Sequence, residues 1–252
     1  MDTATKETLA KVPAITLGFW VIKILATTLG ETGGDTLSMS MNLGYLTSTG
    51  IFLLIFVGAV IFQIKAAKFH PFVYWFTIIA STTVGTTTAD YADRSLGIGY
   101  AGGSTLLLSL LLISLFIWHK SLDRIDVASV STPKAETFYW FTIMFSQTLG
   151  TALGDWTADT AGLGYLGAAG IFSIMLVILV LLYFFTRTNR VFLFWSAFIL
   201  TRPLGAAVGD FLDKPVAHGG LELSRYSASG VMIVAIIALV VLLPQRAAEK
   251  SH

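Results

Sequence analysis

The feature of the sequence that most restricts its fold is a pattern of tryptophan, glycine and aspartate that occurs four times. In each copy a glycine stands ten residues after the tryptophan, and an aspartate stands fifteen residues after it. The copies begin at Trp20, Trp75, Trp140 and Trp195. A fixed internal spacing of this kind is the signature of a repeat architecture. We therefore expect the chain to be assembled from four similar units.

Each unit contains two apolar runs, one carrying the tryptophan and one following the aspartate. Charged residues make up 12% of the chain, about half of the roughly 25% typical of soluble domains. Each run is close to the ~20 residues that cross a bilayer as a helix. The sequence therefore predicts an all-α integral membrane protein with eight transmembrane helices. The predicted spans are 12–33, 44–64, 70–90, 98–118, 137–155, 162–185, 190–210 and 226–244.

The spacing of the units predicts one membrane domain, 1–252, made of two pairs of repeats. Successive tryptophans are 55, 65 and 55 residues apart, and the longer interval contains a polar linker at 119–136. Because each unit has two spans, all units enter the membrane from the same side, as parallel repeats in a pseudo-fourfold or two-plus-two bundle. The predicted repeats are 11–68, 69–120, 135–188 and 189–246.

The distribution of basic residues predicts the orientation. The termini and the loops between units share one face and carry most of the bases, so the positive-inside rule places both termini in the cytoplasm. The opposite loops carry few bases, namely Arg94, Lys214 and Arg225. The bases of the first face are Lys6, Lys11, Lys65, Lys68, Lys120, Arg124, Lys134, Arg187, Arg190, Arg246 and Lys250. The polar N-terminus lacks the pattern of a removable signal peptide, so the first span is expected to be retained.

The chain resembles a family of bacterial membrane proteins made of four tandem repeats, each with two transmembrane segments and a characteristic tryptophan. The resemblance extends from about Lys11 to Leu243. It implies a multi-pass protein of the bacterial inner membrane. It implies no activity and no catalytic residues, because the function of the repeat is unknown.

The glycines of the motif are most simply explained by packing. Each stands four residues before a second small residue, a spacing that lets membrane helices approach closely. The tryptophans lie some residues inside the cytoplasmic ends of their spans, where packing or interface anchoring is expected. The predicted packing residues are Trp20, Trp75, Trp140, Trp195, Gly30, Gly85, Gly150 and Gly205.

The four motif aspartates are harder to explain by packing alone. A carboxylate near the bilayer centre costs about 2.5–3.5 kcal/mol, and carboxylates brought together repel unless they share protons or bind cations. Hard cations such as Mn²⁺, Mg²⁺ and Ca²⁺ suit oxygen ligands. The predicted metal ligands are Asp35, Asp90, Asp155 and Asp210, each with a second acid nearby. The second acids, also candidate cation-binding residues, are Glu31, Asp93, Asp159 and Asp213. The alternative is that the aspartates cap a helix or face water at the interface.

Threonines and two bases accompany these acids. Hydroxyl side chains at helical spacing predict one polar stripe on the tryptophan-bearing helix of a unit. If the stripes face one another, they line a polar path from the outer face; the alternative is that they join helices by hydrogen bonds. The predicted pathway residues are Thr28, Thr32, Thr83, Thr87, Gln147, Thr148 and Thr151. Lys23 and Arg202 are predicted countercharges, each beside an acid, either in a mobile role or in a permanent salt bridge. Pro203 predicts a kink beside Arg202.

Together these features predict a transporter or channel for a cation, either a divalent metal or a proton-coupled substrate. The alternative is a membrane scaffold or sensor in which the aspartates are structural. No enzyme is expected, because we find no nucleophile–base pair and no cysteine. A net charge of +1 excludes a basic nucleic-acid binder. The expected partners are the lipid bilayer and a small cation, with bound Mn²⁺, Mg²⁺ or Ca²⁺ as the candidate cofactor. The oligomeric state stays open.

Overall fold

The computed structural model describes residues 10–97, 99–125, 127 and 130–248. Within these ranges the chain is helical and contains no strand, as predicted. Lys6, Lys250 and linker residues 126, 128 and 129 lie outside the described residues. The long helices of the described chain are α1 (Leu17–Asp35), α2 (Gly44–Lys65), α3 (Pro71–Asp90), α4 (Gly99–Leu122), α5 (Pro133–Asp155), α6 (Gly164–Phe185), α7 (Arg190–Asp213) and α8 (Arg225–Leu242).

The odd-numbered helices begin at residues suited to a helix start. The Thr16 side chain accepts a hydrogen bond from the backbone of α1, and Asn189 accepts two from α7. Helices α3 and α5 have proline in their first turn, where the missing N–H has no intrahelical partner to lose. These local signals explain why each repeat restarts its first helix at a defined residue.

The motif aspartate ends the regular helix in the first three repeats. A π-helical turn of five residues follows Asp35, Asp90 and Asp155. The second helix of each of these repeats then begins at a glycine with positive φ, at Gly44, Gly99 and Gly164. Only glycine adopts this backbone conformation without steric cost, which explains the glycine before each of the three repeated tyrosines.

The odd-numbered helices form a closed inner ring. Helix α1 packs against α3, α3 against α5, α5 against α7, and α7 returns to α1. The even-numbered helices lie outside this ring. Each packs chiefly on the first helix of the following repeat: α2 on α3, α4 on α5, α6 on α7 and α8 on α1. No repeat can therefore bury its own apolar surface without its neighbour.

The motif glycines are the positions where consecutive inner helices approach most closely. A Cβ added at Gly30 would collide with Thr82, and one added at Gly205 would collide with Thr27. At Gly85 an added Cβ would lie 2.9 Å from the backbone carbonyl carbon of Gln147. In each case the neighbour stands seven residues after the tryptophan of the next repeat, and the same relation joins Gly150 to Arg202. The four contacts close the ring cyclically.

Five helices of the described chain, α2, α4, α6, α7 and α8, are long and apolar enough to cross a membrane. The outer helices expose large apolar side chains on their outward faces, as expected for contact with lipid. Helices α1, α3 and α5 fall outside this group because they carry the threonines and acids that they bury inside the ring. Membrane crossing by all eight helices stays a prediction.

One end of the ring carries the aspartates and is called the acid end. The other, called the terminal end, carries a cluster of aromatic side chains and the first and last described residues of the chain, near 10–13 and 247–248. The repeat tryptophans lie near the terminal end, and Trp75, Trp140 and Trp195 are buried. An isolated antiparallel bridge joins Pro13 to Ala247. Lys11 forms an ion pair of 2.8 Å with Glu136 of α5. These contacts tie residues 11–13 to residue 247 and to α5 at the terminal end.

We expect Gly85→Ala to destabilise the protein by about 1–3 kcal/mol, because the new methyl group would press on the backbone of α5. The matched control is Gly50→Ala in α2, where an added Cβ meets nothing within 4 Å. That change is expected to leave stability equal or higher, because alanine favours helix by about 1 kcal/mol over glycine. Thermal unfolding in detergent measures both. Equal effects of the two substitutions would contradict the close approach at Gly85.

Candidate functional site

Equivalent positions of the four repeats lie at the same level of the ring, and successive levels are about one helical turn apart. From the acid end inward we name four levels by their most distinctive residue. The aspartate level consists of Asp35, Asp90, Asp155 and Asp210. The glutamate level consists of Glu31, Thr86, Thr151 and Ala206. The arginine level consists of Thr27, Thr82, Gln147 and Arg202. The lysine level consists of Lys23, Ile78, Ile143 and Phe198. All these residues are buried.

At the aspartate level, Lys214 joins the acids of the first and fourth repeats. Its ammonium group donates to Asp35 Oδ2 and lies 3.1 Å from Asp210 Oδ1. Arg225 approaches the same Asp35 oxygen at 3.7 Å and donates from Nε to Asp213 Oδ2 at 2.6 Å. Two bases therefore converge on Asp35, which is completely buried.

Arg94 joins the remaining two motif aspartates. Its Nε atom lies 3.0 Å from Asp90 Oδ1, and a terminal nitrogen donates to Asp155 Oδ2 at 3.5 Å. The Arg94 side chain is 31% exposed, whereas both carboxylates are almost completely buried. The four aspartates thus meet at one end of the ring as two base-bridged pairs.

Three carboxylates at this end are close enough to share a cation. Glu31, Asp35 and Asp210 each offer one oxygen, and these three oxygens lie within 4.8 Å of one another. Asp35 Oδ1 is buried and has no hydrogen-bond partner among the described residues. Oxygen donors of this kind suit hard divalent cations. The group differs from the predicted set of four equivalent aspartates, because Glu31 joins it while Asp90 and Asp155 pair with Arg94.

Arg202 fills the ring just below this group. Its guanidinium donates to Glu31 Oε2 at 3.0 Å, to Thr86 Oγ1 at 2.6 Å and to Thr151 Oγ1. A further bond of 3.4 Å reaches the backbone oxygen of Thr27. One side chain of α7 therefore contacts all three other inner helices. The sequence predicts an unspecified acid beside Arg202, and the acid that the structure brings there is Glu31.

Lys23 differs from its prediction. It is completely buried, yet it forms no ion pair with any described acid, and its ammonium nitrogen has no hydrogen-bond partner there. Instead the nitrogen lies 4.1 Å from the centre of the Phe198 ring. The prediction of an acid beside Lys23 is wrong for the described residues. The Glu31 carboxylate, which lies on the same helix, binds the Arg202 guanidinium instead.

The predicted stripe of hydroxyl groups divides into two faces. Gln147 and Thr151 belong to the buried levels of the ring, and Thr151 contacts Arg202. The other predicted pathway threonines donate to carbonyl oxygens of their own helices. They are Thr28, Thr32, Thr83, Thr87 and Thr148. Thr32 also bonds Ser229 of the outer helix α8 at 2.9 Å, so this second face joins helices.

The four second acids, predicted to lie near the motif aspartates, occupy different places in the structure. Glu31 faces the ring, and Asp213 pairs with Arg225 at its rim. Asp93 lies against Gly103 of α4, and Asp159 is exposed and accepts a bond of 3.4 Å from Tyr100. The last two follow a motif aspartate within a π-helical turn. The turn carries them away from the carboxylate group, so neither joins it.

The site also contains three bases that are not among the predicted site residues: Arg94, Lys214 and Arg225. Arg94 and Lys214 each stand four residues after a motif aspartate, a spacing that places both side chains on one helical face. That spacing could have identified them. Arg225 reaches the site only because the insertion in the fourth repeat folds back onto α7, and no local pattern in the sequence indicates this.

Comparison with known proteins identifies the repeat. A family model described as Repeat of Unknown Function (DUF347) matches residues 18–69, 73–122, 138–189 and 193–246. The resemblance inferred from the tryptophan spacing is thereby confirmed, with four tandem copies. No curated protein and no solved structure matches the chain significantly.

Arg202→Met is expected to destabilise the protein by about 3–5 kcal/mol, because it leaves the Glu31 carboxylate buried without its partner. Glu31→Gln in the same chain should restore part of this loss. Chemical unfolding in detergent of both single variants and the double variant measures the coupling. Additive effects within about 0.5 kcal/mol would show that the two side chains are energetically independent.

Proposed function

Because the chain belongs to the DUF347 repeat family, whose function is not assigned, the site itself has to indicate a function, and we propose transport of a cation across the membrane. The single observation that carries this proposal is the group formed by Glu31, Asp35 and Asp210, whose oxygens lie within 4.8 Å of one another. Buried carboxylates at this separation repel unless a cation or proton lies between them.

The donor atoms favour a hard divalent cation as the substrate. The group consists of carboxylate oxygens, and Thr86 adds a hydroxyl 3.3 Å from Glu31 Oε2. The chain has no cysteine, so soft thiolate ligands are excluded. Oxygen ligands of this kind suit Mn²⁺, Mg²⁺ and Ca²⁺. Exchange of these ions against protons is compatible with the same carboxylates.

The charges around the site leave an excess of acid. Six carboxylates lie at or beside the aspartate and glutamate levels, and four bases bind them. The acids are Glu31, Asp35, Asp90, Asp155, Asp210 and Asp213. The bases are Arg94, Arg202, Lys214 and Arg225. With every group ionised, two negative charges remain, which matches the charge of one divalent cation.

In such a transporter all eight helices would cross the bacterial inner membrane. The inner ring would then be shielded from lipid by the outer helices, and both termini would lie in the cytoplasm. The basic residues of the terminal end support this orientation through the positive-inside rule. The acid end would face outward, so that a cation reaches the carboxylates from outside the cytoplasm.

Passage beyond the acid end requires a rearrangement. Arg202 closes the ring beneath the carboxylates, and the lysine level below it is apolar apart from Lys23. Pro203 lies inside α7 next to Arg202, where proline removes one backbone hydrogen bond and permits a bend. We therefore favour a carrier mechanism, in which α7 moves during transport. An open channel is less consistent with the closed ring below the carboxylates.

A second candidate function is a scaffold or sensor that transports nothing. The observation that favours it is that each motif aspartate already has a base within ion-pair distance. In that case the acids serve to hold the ring together. Substitution of an aspartate would then change stability alone, and added metal ions would not stabilise the purified protein.

We expect vesicles containing the purified protein to take up Mn²⁺, and Asp35→Asn to reduce the initial rate by about tenfold or more, because it weakens one of three charged ligands. Asp159→Asn is the matched control, since that carboxylate is exposed outside the ring, and should leave uptake unchanged. Equal uptake by wild type and Asp35→Asn would contradict the assignment. Absence of both uptake and thermal stabilisation by Mn²⁺ would favour the scaffold.

A further inference from the structure

The fourth repeat contains an insertion that the other three lack. Its tyrosine, Tyr226, follows the repeat tryptophan by 31 residues, whereas the equivalent interval in the other repeats is 25 residues. We call residues 214–225 the cap segment. Backbone hydrogen bonds tie it to the end of α7, from Leu221 to Phe211 at 2.7 Å and from Leu223 to Leu212 at 2.8 Å. The insertion is therefore an ordered part of the acid end.

Both ends of the cap segment carry a base that reaches Asp35. Lys214 is its first residue and Arg225 its last, and both approach the same oxygen, Asp35 Oδ2. The backbone of Lys214 is held in place at both polar groups, because its N–H donates to Asp210 and its carbonyl accepts from Glu222. The ammonium group of Lys214 is thus directed into the acid end by fixed backbone.

The Lys214 ammonium occupies the space that a cation would need. It contacts Asp35 and lies 3.1 Å from Asp210 Oδ1. These are two of the three carboxylates that could share a metal ion. The remaining Asp35 oxygen, Oδ1, is buried and has no hydrogen-bond partner among the described residues. It is therefore available to a ligand while Lys214 holds the other oxygen.

We propose that Lys214 is a built-in competitor of the transported cation at the Glu31–Asp35–Asp210 group. A metal ion and an ammonium ion cannot both lie between Asp35 and Asp210, because their positive charges repel at such short distance. A cation that binds must displace the Lys214 side chain, and Lys214 returns when the cation leaves. Lys214 thereby sets the concentration at which the site fills, and it keeps a positive charge beside Asp35 and Asp210 when no cation is bound.

This inference rests on the proposed function, and Mn²⁺ binding to the purified full-length chain tests it. The free Mn²⁺ signal in electron paramagnetic resonance reports binding without any transport assay. Lys214→Met removes the ammonium and should tighten Mn²⁺ binding by about tenfold or more, the effect expected for loss of a close competing charge. Lys214→Gln, which keeps a neutral hydrogen-bond donor, should tighten it similarly, and it serves if the methionine variant fails to fold.

Two controls separate charge from structure. Lys214→Arg keeps the positive charge and should therefore bind Mn²⁺ more weakly than either neutral variant, because a competing charge is retained. Lys120→Met removes an exposed lysine at the far end of α4 and should have no effect. Size-exclusion chromatography verifies that each variant is folded.

The outcomes distinguish this inference from the proposed function. Tighter binding by the neutral variants, or binding that appears only in them, supports Lys214 as a competitor. A second outcome is that wild type binds Mn²⁺, that Asp35→Asn abolishes this binding, and that the neutral Lys214 variants bind equally or more weakly. This outcome overturns the competitor role of Lys214 and supports the cation site. Absence of Mn²⁺ binding in wild type and in both neutral variants overturns the cation site and this inference together.

Discussion

The close approach of consecutive inner helices at the motif glycines is the contact on which the rest of the structure depends. Each glycine accommodates the residue seven positions after the tryptophan of the next repeat, and Gly205 closes the series against Thr27. Because the contact is cyclic, it brings equivalent positions of all four repeats to the same level. Four acids that are far apart in sequence therefore meet at one end, and the outer helices cover the joints between neighbouring repeats.

The four repeats differ in the charged residues that they place inside the ring. At the glutamate level two repeats have threonine and one has alanine, whereas the first has Glu31. At the arginine level the fourth repeat has Arg202, which binds Glu31 across the ring. Lys214 and Arg94 then divide the aspartates into two pairs. A fourfold scaffold thus carries two base-bridged pairs of aspartates, one between α1 and α7 and one between α3 and α5.

Much of this architecture follows from local sequence patterns. The tryptophan, glycine and aspartate spacing predicts four repeats and eight helices because it reflects contacts that recur in every copy. The sequence does not show that each outer helix packs on the next repeat, since that choice depends on three-dimensional closure. The surroundings of Lys23 also depend on contacts between repeats. The sequence predicts an acid beside Lys23, but Glu31 binds Arg202 from another repeat. Lys23 lies against the Phe198 ring instead. Arg225 reaches Asp35 only through the folding of the insertion.

The central claim is that the ring assembles carboxylates from different repeats into one cation site. An experimental structure determined with Mn²⁺, using the anomalous scattering of the metal to locate it, tests this claim most directly. We predict one anomalous peak between Glu31, Asp35 and Asp210, with the Lys214 side chain displaced from its place between the two aspartates. A structure in which the four motif aspartates point away from a common centre, or in which no manganese lies at the acid end, would contradict the claim.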